Sequence, residues 1–182
     1  MSTPRRPLPA KLILSVLAAK WDRFRPEIKS TLEEKFGEID YESEYIPFTE
    51  TTYYDSELGK PIYRKILAFA DLFKQNRLPQ IKLATNALEE AYSREGKRLF
   101  NLDPGFITHE RLVLATGKNF THRVYLDQGI WADLTLIFTK GDWRDMPWTF
   151  PDYSAQKTKT HLRSIRDIYS GQIKDMPGNK GE

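Results

Sequence analysis

Three acidic side chains, Glu89, Asp103 and Asp133, are of the type that moves protons or holds a metal ion. Asn86 precedes Glu89 by three positions, so on a helix the two share a face. Asn101 precedes Asp103 by two, so on a strand those two share a face as well. Polar pairs converging from neighbouring elements would orient a polar ligand, with Glu89, Asp103 or Asp133 as acid, base or metal ligand. The plainer reading is equally open: the asparagines satisfy backbone amides beside them, and Asp103 caps the turn that Asp103-Pro104-Gly105 predicts. That turn would put Asp103 within reach of Asn101 or a backbone amide.

Positive charge for an anion comes from Lys118 and Arg123, the latter with a planar two-pronged guanidinium, and His122 lies beside it. Aromatic residues crowd the stretch that follows. Trp148-Thr149-Phe150-Pro151-Asp152-Tyr153 reads as a pocket lid, and Tyr125 stands near Arg123. The candidate ligand-binding set is therefore Asn86, Asn101, Lys118, Arg123, Tyr125, Trp148 and Asp152. Basic groups interleaved with aromatics also suit single-stranded RNA, although no aromatic–glycine RNA-binding signature is present. Most large aromatics in a domain of this size belong to the core.

Other chemistries are disfavoured. The three histidines, His109, His122 and His161, form no H-x-x-x-H or H-x-H pair, and there is no cysteine, so zinc is not expected. Magnesium needs only one or two carboxylates plus waters, and Asp103 and Asp133 are the candidates for it. No G-x-S-x-G sequence offers a serine nucleophile.

The elements that must position these residues follow from periodicity. Lys11 to Ala18 is apolar on both alternating faces and predicts a central strand. Apolar residues at helical spacing predict a helix over Asp22–Phe36, stopped by Gly37. Tyr41–Phe48 and Ile62–Phe73 read as strands flanking a polar loop. Pro79 opens a helix carrying Ile81, Ala84, Leu88, Ala91 and Tyr92, and Lys97–Leu102 is a short strand ending at the Pro-Gly turn. Two or three strands lie between Arg111 and Phe138, and a basic helix covers about Ser154–Ile173.

Asp127-Gln128-Gly129 predicts a three-residue hairpin loop. Its register sets Arg123 opposite Asp133, Tyr125 opposite Trp131 and Thr121 opposite Thr135. The face with His122, Val124, Leu126, Ile130, Ala132, Leu134, Leu136 and Phe138 is then the core side. The Arg123–Asp133 face would be the polar, ligand-bearing one. The fold class expected is α+β, a single domain over 10–173 with one antiparallel or mixed sheet and helices mainly on one face. Strand–helix–strand–strand–helix–strand suggests a ferredoxin-like split βαβ unit; a doubly wound α/β fold is the alternative. Residues 1–9, with three prolines, read as a flexible lead-in, and 174–182 as a frayed tail.

Six segments occur in a recognisable order: Pro9-Ala-Lys-Leu-Ile-Leu14, Tyr54-Asp-Ser-Glu-Leu-Gly59, Ile81-Lys-Leu-Ala-Thr-Asn86 with Glu89, Asn101-Leu-Asp-Pro-Gly105, His122-Arg-Val-Tyr-Leu126 and Trp148-Thr-Phe-Pro-Asp-Tyr153. Together they resemble the prokaryotic family catalogued as domain of unknown function 4416, over about residues 9–173. The family name carries no activity, though members are sometimes labelled GTP-binding proteins. The residues oppose that label. The Gly-Lys pairs Gly59-Lys60, Gly96-Lys97 and Gly117-Lys118 are followed by Pro61, Arg98 and Asn119 rather than serine or threonine, and no glycine stands five positions before any of them. A phosphate-cradling P-loop is excluded.

With 182 residues, 40% hydrophobic and 29% charged, the chain has the composition of one globular domain. Its longest apolar-rich run, Leu12–Ala19, is too short to span a membrane, so no membrane partner is expected. No signal sequence is recognisable and a cytoplasmic location is expected. The net charge of +3 is uneven: residues 27–57 hold ten acidic side chains against two lysines, a balance of −8, which leaves +11 elsewhere. Such polarity could steer an anion. The expectation is a protein that binds or processes an anionic small ligand, a nucleotide or phosphorylated metabolite, at a polar sheet face. The alternative is a non-catalytic RNA-binding or protein-interaction module; whether the protein is an enzyme is left open.

Overall fold

Strand β1 (Ala10–Ala18) is buried at every position, as Leu, Ile and Val on both faces require of a strand covered on both sides. The computed structural model describes residues 3–21 and 27–177. In it β1 lies inside a nine-stranded antiparallel sheet with the order β2-β4-β1-β5-β6-β8-β7. The other strands are β2 (Ile39–Glu42), β3 (Ile46–Pro47), β4 (Tyr63–Phe73), β5 (Phe100–Ile107), β6 (Arg111–Thr116), β7 (Arg123–Asp127), β8 (Ile130–Thr139) and β9 (Asp142–Asp145). β3 pairs with β4, and β9 with β8. The helices are α1 (Glu27–Phe36), α2 (Asp55–Leu58), α3 (Leu78–Ala91), α4 (Pro151–Ser154) and α5 (Gln156–Ile173). The fold class is α+β. The start expected for α1, at Asp22–Pro26, lies outside the described residues, as does the tail from 178 onward.

Helices cover both faces of the sheet, a correction to the expectation that they lie mainly on one. Leu12, Leu14, Val16 and Ala18 pack with Ile28 and Leu32 of α1 and Ile81 and Leu88 of α3. On the opposite face Ile13, Ile66 and Ile107 pack with Tyr153 of α4 and Leu162 and Ile165 of α5. The reason was already in β1: a strand with two apolar faces needs two covering layers.

The Asp103-Pro104-Gly105 turn is not there. β5 runs straight through it, pairing Asp103 with Ser15, Pro104 with Leu14 and Gly105 with Ile13. Gly105 serves another purpose: a Cβ there would lie 2.5 Å from the Val113 carbonyl oxygen on β6. Glycine permits the close approach of two backbones, not a turn.

The hairpin register is as expected over Arg123–Asp133, Val124–Ala132 and Tyr125–Trp131. A shift beyond Tyr125 pairs Asp127 with Ile130, and Gln128 and Gly129, both at positive φ, make a two-residue turn. The expected Thr121–Thr135 pair lies before the start of β7. The burial of β7 does not follow the two expected faces. Val124 is 66% exposed and Leu126 38%, whereas the Arg123 side chain is 11% exposed. β7 is the sheet's outermost strand, so Val124, Tyr125, Leu126 and Asp127 are exposed on both of its faces, while the side chains of His122 and Arg123 turn inward onto Asp133. Among the described residues no helix is long and apolar enough to cross a membrane.

Candidate functional site

The site begins where two strands part. β5 and β6 pair at Ile107–Leu112, Phe106–Val113 and Gly105–Leu114, and pairing stops there. The amide and carbonyl of Leu102 point away from β1, so those of Pro104, two residues on, point the same way, toward β6. Proline has no N–H to continue the ladder. Beyond that point β6 stays with β8 as far as Thr116–Trp131, and a gap opens beside Asn101–Asp103.

Helix α3 closes the gap from below. Lys82 Nζ donates to the Leu102 carbonyl at 2.9 Å and to Asp103 Oδ1 at 3.1 Å. The Leu102 amide donates to Glu89 Oε1 at 2.5 Å. Two helix side chains thus replace the missing strand. Arg98 completes the wall: Nη1 donates to Glu89 Oε2 and to Asn101 Oδ1, both at 2.8 Å, while Nε and Nη2 grip Glu57 at 2.6 and 2.7 Å. Asn101 Nδ2 donates to Asp103 Oδ2 at 2.5 Å. The expected Asn101–Asp103 contact therefore exists, made by strand alternation rather than by a turn.

The resulting cleft encloses about 750 Å³. Asn86, Glu89, Asn101, Asp103, Lys118, Arg123, Asp133 and Asp152 all line it, so eight of the ten residues singled out in the sequence come together. Tyr125 and Trp148 do not line it. Tyr125 is 53% exposed on the outer hairpin, edge-on to Trp131. Trp148 works from behind, its ring stacked on His122 at 4.8 Å and its Nε1 donating to the Leu134 carbonyl at 2.8 Å.

The three candidate acids differ in what they can do. Glu89 is buried with both oxygens occupied, and burial pushes its pKa up. Asp133 accepts from Arg123 Nε at 2.9 Å and from Thr135, and lies 3.1 Å from His122 Nε2. His122, on the face expected to be the core side, has a side chain only 9% exposed and is a partner of Asp133. Asp103 has the most accessible side chain of the three, at 34%, and lies close enough to Tyr54 to help burial push that phenol up to about 12. Among the described residues no group of three or more His, Cys, Asp or Glu side chains is placed to hold a metal ion.

The sequence reading missed Arg64. It stands on β4 opposite Leu17, only 4% exposed. Its guanidinium lies 5.2 Å from the Phe48 ring centroid and 4.7 Å from that of Tyr153. Nη2 is paired with Asp152, whereas Nε and Nη1 make no hydrogen bond. In the sequence it is one basic residue in a strand. The only hint is that a charged side chain in a largely apolar strand is rarely buried without a task. At the mouth, Lys118 Nζ sits 5.2 Å over the Tyr53 ring, bringing the 49–54 loop next to the β6–β7 loop.

Fold and site together define an α+β protein with a charged cleft set at a break in an antiparallel sheet. The family model described as domain of unknown function (DUF4416) matches residues 8–169, and the chain belongs to that family. No curated protein and no solved structure matches it.

Proposed function

We propose that the protein binds an anionic small molecule, a nucleotide or phosphorylated metabolite, in this cleft. The observation that carries the reading is Arg64: a guanidinium in the cleft wall with one carboxylate partner and two nitrogens without hydrogen bonds. Leaving such donors unpaired costs about 1–3 kcal/mol each, a cost that ligand oxygens would remove once the Phe48 side chain yields. Asp152 behind Arg64 and Asp133 behind Arg123 hold the two guanidiniums in place, which favours bidentate recognition of phosphate or carboxylate. Lys118 adds charge at the mouth. Asp103 is the group best placed for acid–base work on a bound ligand. The sheet order β2-β4-β1-β5, antiparallel throughout, supports reading the first part of the chain as a ferredoxin-like split βαβ unit.

The test is calorimetry with orthophosphate, nucleoside mono-, di- and triphosphates and sugar phosphates, with and without magnesium. Arg64→Lys keeps a cation for Asp152 but loses the fork, and should weaken the bound compound about tenfold or more. Absence of any binding, or binding indifferent to this substitution, overturns the proposal; so does RNA binding that Arg64→Lys leaves unchanged.

A further inference from the structure

Four buried side-chain polar atoms without a hydrogen bond gather at one place in the fold: Arg64 Nε and Nη1, the Tyr153 hydroxyl and Ser15 Oγ. The three residues are 4%, 4% and 1% exposed. Arg64 and Tyr153 line the cleft, with the guanidinium 4.7 Å from the centre of the phenol ring. The Ser15 hydroxyl lies beside the Tyr153 phenol, yet neither oxygen completes a hydrogen bond. β1 and β5 set Ser15 directly opposite Asp103, the group proposed above for acid–base work. Native interiors seldom leave one such atom unpaired. Four together point to an occupant.

We infer that this is the closed end of the cleft and that it takes a terminal phosphoryl group, the tip of a phosphomonoester. The inference rests on the anion reading above and deepens it. Every unpaired atom is a donor: two guanidinium nitrogens and two hydroxyls. Burial holds the Tyr153 phenol above its ordinary pKa, so it keeps its proton at neutral pH. Four donors need a group rich in acceptors. A phosphomonoester brings three unesterified oxygens, where a carboxylate or a phosphodiester brings two. Arg64 supplies the charge, held by Asp152 and covered by the Phe48 ring at 5.2 Å, the side chain that gives way on entry. A diester would carry a second substituent into walls that are already closed, which excludes the internal phosphates of RNA.

The test is calorimetry of the full chain with methyl phosphate and dimethyl phosphate. At about pH 5, below the second phosphate pKa of about 6, both esters carry one charge. The monoester is expected to bind about tenfold more tightly or better. Tyr153→Phe removes one donor and keeps the ring, and should weaken methyl phosphate about tenfold. Ser15→Ala should act in the same direction. Neither should lower the melting temperature of the unliganded protein, because neither hydroxyl has a hydrogen bond there to lose. Equal binding of the two esters, methyl phosphate binding that both variants leave unchanged, or a melting temperature that both lower overturns the inference. If Arg64→Lys still weakens binding in those cases, the anion reading stands without it. Failure of both esters and of orthophosphate to bind overturns the two together.

Discussion

Arg98 gives every side-chain nitrogen a partner: Glu57 in two-pronged fashion, Glu89 and Asn101. The consequence reaches the acids. Glu57, gripped by Arg98, has its pKa held below the ordinary range, whereas buried Glu89 is pushed above it. The signs are opposite. The Glu57 contribution to stability is complete above the ordinary glutamate pKa of about 4.3 and is lost as pH falls through its lower folded value. That of Glu89 shrinks as pH rises through its raised value. Glu57→Gln should therefore flatten the acid limb of the stability curve, the variant losing less than wild type when melting temperature is followed downward from about pH 5. An unchanged limb would show that the grip on Arg98 contributes nothing. The same scale revises Arg123: its pair with Asp133 is buried rather than exposed, so removing one partner is expected to cost about 3–5 kcal/mol instead of the 0–1 of a surface pair.

At the scale of elements, the decisive feature is how β5 treats its two neighbours. It pairs with β1 from Lys11–Ile107 to Ala18–Phe100 but with β6 for only three residues. Gly105 allows the approach and Pro104 ends the pairing. A methyl group at Gly105 would meet the Val113 oxygen at 2.5 Å and Leu114 Cδ2 at 2.7 Å. The first is backbone and cannot rotate away. Gly105→Ala should destabilise the fold by about 1–3 kcal/mol, read from urea unfolding, and should displace Leu114, which lines the cleft. Stability unchanged within error would mean that β6 can move aside freely, against the short-pairing argument. The α3 pair Lys82 and Glu89 belongs to this scale too, since it satisfies the backbone that β6 leaves behind.

At the scale of the molecule, the uneven charge seen along the chain is absorbed in part by pairing. Asp40 meets Lys11, Glu42 meets Lys65 and Lys29, and Glu57 meets Arg98. Tyrosine burial is likewise spread over the whole structure. Burial raises the phenols of Tyr54 and Tyr169 to about 12, and raises those of Tyr41 and Tyr153 as well. A raised folded pKa means that the native state resists ionisation, so stability is lost as pH climbs past about 10. An alkaline titration should show the phenolate absorbance of these four tyrosines appearing together with loss of far-ultraviolet circular dichroism. Ionisation completed while the fold persists would contradict their burial.

Local pattern alone was enough for β1, α3, α5, the β7–β8 register from Arg123–Asp133 to Tyr125–Trp131 and the α+β class, because side-chain periodicity is a property of neighbouring residues. It was also enough to gather Asn86, Glu89, Asn101 and Asp103 into one set, since helical and strand spacing decide which side chains share a face. It misread Asp103-Pro104-Gly105, whose composition suits a turn equally well; only the arrival of β6 against Gly105 makes it a strand. It inverted the burial of Val124 and Arg123, because which face of a strand is covered depends on what packs there, not on the alternation itself. Arg64 was invisible for the same reason. Its position in the cleft wall, between the rings of Phe48 and Tyr153 and against Asp152, joins residues up to 105 positions apart, and such neighbours exist only once the chain has folded.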